Sequence, residues 1–290
     1  MPCTKCCGAR DYANTKGQGD KMKRLLRSFL LMYRLNFKLD LKSLIAYPAT
    51  FWFAAATIPL WSLIQVMFIE TIYGQVDYFL GYTKYENYVL FGTWKMVQSL
   101  TTIFFMVQLE ELTERIRGND NWSLDMMLLK PIDSQIFATT GRYWFGSISS
   151  LLVGVAMMGY GLLREPHVVG IINILMYSGS VVLAVIFLYL IYLFFQTWLF
   201  WVEYLAVGEQ LWFTIQDLGQ YPRRLYQGGV GTLMNIVFPI TLAAAVPVEL
   251  LFGQMPWYHL GIYITSVGLL GYLTRRFWQY SIKKYSSFSS

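Results

Sequence analysis

The sequence predicts an all-α, polytopic membrane protein, on three observations. Hydrophobic residues make up 56% of the 290 and charged ones 14%, with a mean hydropathy of +0.42, against roughly 25% charged in soluble domains. Apolar windows of about 20 residues, the length that crosses a hydrocarbon core of about 30 Å, recur six times. Lys and Arg are also spread unevenly over the connecting segments.

The windows are Pro48–Ile69, Asn87–Gln108, Arg142–Leu163, Leu175–Phe200, Val230–Leu251 and Tyr258–Trp278. The fifth carries Asn235, Pro239, Pro247 and Glu249. That composition predicts a helix that breaks before its end, which protein or a water-filled cavity must then cover. In the third, Gly154, Gly159 and Gly161 provide small residues for close helix packing. Trp52, Trp61, Trp94, Trp144, Trp198, Trp201, Trp257 and Trp278 read as anchors at the membrane interface.

Positive residues are retained on the cytoplasmic side. Lys84 and Arg164 fall in loops on one side and Lys95 lies within a window. The rest of the 23 Lys and Arg precede the first window, lie between the second and third with Arg142 at the boundary, lie between the fourth and fifth as Arg223 and Arg224, or stand at the end of the last, as Arg275 and Arg276, and after it. Both termini are therefore expected in the cytoplasm. The net charge of +6 follows from cations that flank spans, where anionic lipid headgroups attract them, and it calls for no nucleic-acid partner.

Residues 1–21 are polar and Gly-rich, too poor in aliphatics to bury a core, and are expected to form a disordered tail without the apolar core of an export signal. Cys3, Cys6 and Cys7 lie there without a second ligand cluster, a pattern of a reduced tail rather than a zinc site. From Met22 the chain reads as one membrane domain, 22–290. It opens with a basic amphipathic helix over 22–46, in which Leu25, Phe29, Met32 and Phe37 recur at helical spacing among Lys and Arg. An extension of the first span fits the same residues.

Residues 109–141 concentrate charge in an otherwise apolar chain. Leu109, Leu112 and Ile116 share a helical stripe, Glu110, Glu111, Glu114, Arg115 and Arg117 cover the rest, and Glu111 and Arg115 are spaced to pair. Gly118-Asn119-Asp120-Asn121 stops that helix. Ser123 can cap a second, short one with Asp125 in its first turn and apolar Met126, Met127, Leu128 and Leu129 behind it, and Pro131 ends it. Helix, turn and short amphipathic helix make a shape that docks into a cleft on a cytosolic partner; a solvated connector fits the residues too. Asn121-Trp122-Ser123 matches a glycosylation sequon by chance, given its side.

Arg115-Ile116-Arg117-Gly118, followed by Leu124-Asp125-Met126-Met127-Leu128-Leu129-Lys130-Pro131, resembles the cytoplasmic loop of type-two ABC exporter permeases. The nearest resemblance is to a bacterial subfamily whose loop reads R-x-G-x-L-D-x-x-L-L-K-P. Asp217-Leu218-Gly219-Gln220-Tyr221-Pro222, Phe238-Pro239 with Pro247, Leu250-Leu251-Phe252-Gly253 and the terminal Tyr285-Ser286-Ser287-Phe288-Ser289-Ser290 are similar to later signatures of that subfamily, in order. Asn119-Asp120-Asn121-Trp122 lengthens the loop relative to it, and Gln227 stands where it has a proline. The resemblance implies a six-helix permease half in a bacterial inner membrane, with a re-entrant hairpin before the last helix. It also implies a coupling element in which Glu110, Glu114, Arg117, Leu124, Asp125, Leu128, Lys130 and Pro131 meet an ATPase. The partners would be that ABC ATPase, which holds ATP and Mg, a second permease chain and membrane lipids.

No phosphate-binding G-x-x-x-x-G-K-[ST] loop occurs in the chain, and neither H-E-x-x-H nor G-x-S-x-G is present, so no catalysis and no cofactor are expected in it. Polar side chains inside windows are expensive and usually purposeful. Lys95, Gln98, Gln196 and Glu249 are therefore candidates for a translocation path, and structural pairing between helices fits them as well. Between Val202 and Gly229, Glu203, Glu209, Gln210 and Asp217 interrupt an apolar pattern, which reads as a cytoplasmic interfacial helix or connector ending near Tyr221-Pro222. Two rival readings are a stand-alone secondary transporter or channel, for which no internal repeat is found, and a scaffold subunit of a membrane complex.

Overall fold

The computed structural model describes residues 31–42, 46, 48–116, 124–129, 133–165, 170–201, 214, 217–225, 228–229, 240–255 and 257–284. The 1–21 tail with its cysteines, Arg117, Lys130, Pro131, the sequon, Glu203, Asn235, Pro239 and the terminal Tyr285–Ser290 motif lie outside the described residues. Glu114 and Asp125 are described as helical backbone.

The described residues form helices and no strand; an isolated bridge joins Phe79 and Tyr82. In chain order the helices are α1 (31–42), α2 (Pro48–Tyr73), α3 (Lys84–Thr101), α4 (Val107–Ile116), α5 (Leu124–Leu128), α6 (Ser134–Thr139), α7 (Ile148–Arg164), α8 (Ile171–Thr197), α9 (Leu242–Leu251) and α10 (Trp257–Lys284). A π-helical turn, Thr102–Met106, joins α3 to α4 without a break. Three helical stretches, Ala56–Tyr73, Phe145–Arg164 and Ile171–Thr197, are long and apolar enough to cross a membrane.

Local chemistry fixes the ends. At the start of α3, Thr83 Oγ1 accepts from the Glu86 N–H and Glu86 Oε2 accepts from the Thr83 N–H at 2.8 Å, a reciprocal cap for two otherwise orphaned donors. Pro48 opens α2, where its missing N–H is unneeded. Gly253, at φ +67°, turns the chain out of α9.

The core forms where α8 packs on α9, α10 and α3, and α3 crosses α7 most extensively of all. That crossing is glycine on glycine. A β-carbon on Gly92 would lie 2.6 Å from the Met158 backbone nitrogen, one on Gly154 2.9 Å from the Gly92 carbonyl, and one on Gly161 2.7 Å from the Tyr85 carbonyl. Gly159, grouped with these by sequence, has nothing within 4 Å. Elsewhere large apolar side chains face outward, such as Trp52, Phe53 and Met67 on α2 and Ile171, Ile172 and Leu175 on α8. This is what a lipid-facing surface requires.

Every residue of α9 is buried. Ten residues rise only about 15 Å, half a bilayer core, so α9 is a part-span helix covered on all sides by protein. The sequence window Val230–Leu251 thus contains a short helix from Leu242 onward, and residues 230–239 lie outside the described ones.

One expectation is corrected. Arg223 and Arg224 count by sequence with the cytoplasmic cations, yet the Arg224 guanidinium sits over Gly81 in the turn between α2 and α3, where a β-carbon would come within 1.6 Å of it. Gly81 neighbours Lys84, and the Thr83 hydroxyl bonds to Glu165 at the far end of α7. This is the end of the bundle opposite α1 and α4–α6. Residues 217–225 therefore run along α2 and α3: Gly219 lies against the Trp94 indole, and Gln220 accepts from Gln65 Nε2 at 2.7 Å. They are not an interfacial helix on the α4–α6 side. Of their polar side chains, Gln220 and the exposed Asp217 line a cavity between helices, and Arg224 is exposed at the α2–α3 turn.

Candidate functional site

Two regions gather the polar residues, one at the α4–α6 end and one at the depth of Lys95. At the first, two residues of the expected stripe, Leu109 and Leu112 of α4, are buried in the main core with Leu124 and Met127 of α5; the side chain of Ile116 lies outside the described ones. Leu128 is half-buried and Leu129 is 81% exposed, so the outward apolar face of α5 is narrower than the run of four suggests. Glu110 is exposed beside it.

Ionic contacts tie this end to α1 and to α10. Arg142 lies 3.4 Å from Asp40 of α1 through Nε and 3.3 Å from Glu111 of α4 through Nη1. Asp40 also accepts from the Tyr143 N–H at 2.9 Å, Asn36 donates to the Gly141 carbonyl at 2.9 Å, and Phe37 meets the Tyr143 and Phe145 rings edge-on. The sequence pointed to none of these partners, and apart from the Arg142–Glu111 pair they join residues about a hundred positions apart.

Asp133 is the second tie. Its carboxylate caps α6, accepting from the Gln135 and Ile136 N–H groups at 3.1 and 3.2 Å. It is also gripped by both Nη atoms of Arg275 on α10, with Nη1 at 2.8 Å. Arg275, through its hydrogen bond, and the α6 backbone hold the Asp133 carboxyl below the ordinary carboxylate range. Next to it, Trp278 Nε1 donates to Ser134 Oγ at 3.2 Å. Trp278 and Trp94, expected at the interface, are both buried. An Asp-Ser pair ahead of Gln135-Ile136-Phe137 is the N-cap signal that marks α6 in the sequence.

The second region is a cavity of about 490 Å³ between α2, α3 and residues 217–221. Its polar lining is Gln65, Lys95, Gln98, Asp217 and Gln220; Trp61, Phe68, Phe91, Trp94 and Tyr221 are its aromatic residues. Lys95 and Gln98 are thereby brought together. Gln196 and Glu249 are not with them: Gln196 donates to Tyr192 within α8 at 2.9 Å, and Glu249 accepts from Tyr82 at 3.1 Å at the α2–α3 turn. Near Glu249, Glu86 accepts from Gln254 Nε2, and Asn173 donates to the Leu251 carbonyl at 3.2 Å. These bonds fasten the segment after α9 to the starts of α3 and α8. Asp217, exposed as the sequence reading expected, and Gln220, half-buried, both line the cavity; Gln65, a lone amide in an apolar window, was the available signal. Among the described residues no group of three or more His, Cys, Asp and Glu could hold a metal ion.

A family model described as ABC-2 family transporter protein matches residues 59–289. No curated protein and no solved structure matches the chain.

Proposed function

The chain belongs to the ABC-2 family of transporter proteins, and on that premise we propose that it is one half of an export permease, paired with a second permease chain in a bacterial inner membrane. As a family member it is the membrane-spanning permease component of an ABC transporter, whose energy comes from an ATPase partner. In the proposal the chain has six spans, and α9 is one arm of a re-entrant hairpin before the last of them. Both termini are cytoplasmic, and the ATPase carries the ATP and Mg.

The observation that carries the coupling assignment is the ionic wiring of the α4–α6 end. A push delivered there by the closing ATPase is passed through Arg142 to α1 and through Asp133 and Arg275 to α10, while the unbroken run from α4 through the π turn into α3 leads it to the cavity. Glu110, Glu114, Arg117, Asp125, Leu128, Lys130 and Pro131 form the contact surface for the ATPase in this reading; Leu124, expected among them from sequence, is buried in the core and anchors α5 from behind.

Gentle solubilisation of the tagged chain from its native host, followed by mass spectrometry, tests it. A stoichiometric ATPase and a second polytopic chain are expected, and the double variant Arg117→Ala, Asp125→Ala should keep the second permease while losing most of the ATPase. Recovery of this chain alone as a homo-oligomer would overturn the assembly.

A further inference from the structure

The cavity beside Lys95 has a composition that specifies more than a passage. Lys95 stands eleven residues beyond the start of α3, about 16 Å at 1.5 Å per residue, so its ammonium belongs near the middle of the hydrocarbon core. A charge at that depth is functional by default and needs a counter-charge. The counter-charge is Asp217, which lines the same cavity. The cavity is therefore formally neutral, and a plain anion entering it would meet Asp217 as well as Lys95.

Two further features narrow the ligand. Gln65 Oε1 is buried and has no hydrogen-bond partner among the described residues, while its Nε2 is committed to Gln220. A buried acceptor left unmade is costly and is satisfied by a donor brought in from outside. On the rim, Trp61 is 65%, Ile64 57% and Phe68 47% exposed, so the polar interior opens sideways onto an apolar, lipid-facing surface.

We propose that this cavity binds the head group of a zwitterionic phospholipid carrying a primary ammonium, of the phosphoethanolamine type. The phosphate pairs with Lys95, assisted by amide N–H donors of the cavity. The ammonium, with three donors, meets the Asp217 carboxylate and Gln65 Oε1. The acyl chains leave over Trp61, Ile64 and Phe68 into the bilayer. The volume lies within the range of about 300–1,000 Å³ usual for small-ligand sites. Calling the bound lipid cargo rests on the permease reading; binding itself does not.

The test titrates short-chain phosphatidylethanolamine, phosphatidylcholine and phosphatidylglycerol into the detergent-purified, delipidated full chain, with bound lipid counted by native mass spectrometry. Phosphatidylethanolamine should bind one site at least tenfold more tightly than either of the others. Lys95→Met should lose at least tenfold, and Asp217→Asn should turn the preference toward phosphatidylglycerol. Gln65→Leu, similar in size, should narrow the margin of phosphatidylethanolamine over phosphatidylcholine, and an unchanged thermal-unfolding midpoint of each variant in the same detergent separates a lost contact from a misfolded chain. Equal occupancy by the three lipids, or phosphatidylethanolamine binding unchanged in the Lys95 and Asp217 variants, would overturn the proposal. The titration contains no ATPase, so its failure leaves the permease reading standing, and a missing ATPase partner leaves a positive titration standing.

Discussion

Asp133 shows how much one side chain can carry at a junction. It caps α6 and binds Arg275 of α10 at once. Its folded-state pKa is depressed, so its contribution to stability is fully present above the carboxyl's unfolded value and is lost as the pH falls through the folded one. Asn at this position keeps an N-cap acceptor but removes the charge. Asp133→Asn is expected to lower the unfolding midpoint of the detergent-purified chain at pH 7, and the difference should shrink toward zero as the pH is taken down through the carboxylate range. A difference independent of pH would mean that the Arg275 contact contributes nothing through its charge. At this scale the sequence is informative only about rarity. Lys95, Gln98 and Gln196 stand out because amides and cations are scarce in apolar windows, but rarity does not say which of them share a cavity, and Gln196 does not join the first two.

Among elements, the α3–α7 crossing depends on backbones that touch. Gly92 and Gly154 each leave room for the other's carbonyl and for nothing more. Gly92→Leu should destabilise the chain by about 3 kcal/mol, toward the upper end for overpacking, because the obstacle is backbone and cannot swing aside. Gly159→Leu, where a β-carbon meets nothing within 4 Å, should be close to neutral. Thermal unfolding of both variants checks the contrast, and equal losses would mean the crossing is looser than it is described here. Spacing alone groups the three glycines of α7, since Gly154, Gly159 and Gly161 all lie in one apolar window; only the partner helix distinguishes them. The π turn at Thr102–Met106 is likewise invisible in the sequence, for TIFFM is ordinary helix composition. Its consequence is structural: the Ile103 carbonyl accepts from the Trp144 N–H at 3.0 Å, which pins the start of the α7 segment to the long helix.

For the whole molecule, the count of positive charges and the packing disagree at Arg224. The positive-inside rule concerns retention during insertion and counts residues by loop, whereas a guanidinium lodged over Gly81 belongs to the opposite end of the bundle. With Cys3, Cys6 and Cys7 replaced by Ser, a membrane-impermeant maleimide should label Arg224→Cys on intact cells and Lys38→Cys only after permeabilisation. Labelling of both only after permeabilisation would restore the count and exclude the packing of 217–225 against α2.

What the sequence determined by itself is the class of the molecule: an apolar, charge-poor chain must place its helices in lipid, because no water-facing surface could be built from it. It also determined most helix positions, with the second window falling in the unbroken run from Lys84 to Ile116 and the sixth inside α10, and it marked residues 109–141 as a charged element apart. The tertiary structure decided what lies beside what. Asp217 shares a cavity with Lys95, Arg275 reaches Asp133, and a polar stretch that reads as surface is folded against α2 and α3. The reason is that hydrophobic periodicity reports whether a residue avoids water, while a polar residue that faces water and one that faces a buried cavity leave the same mark in the sequence.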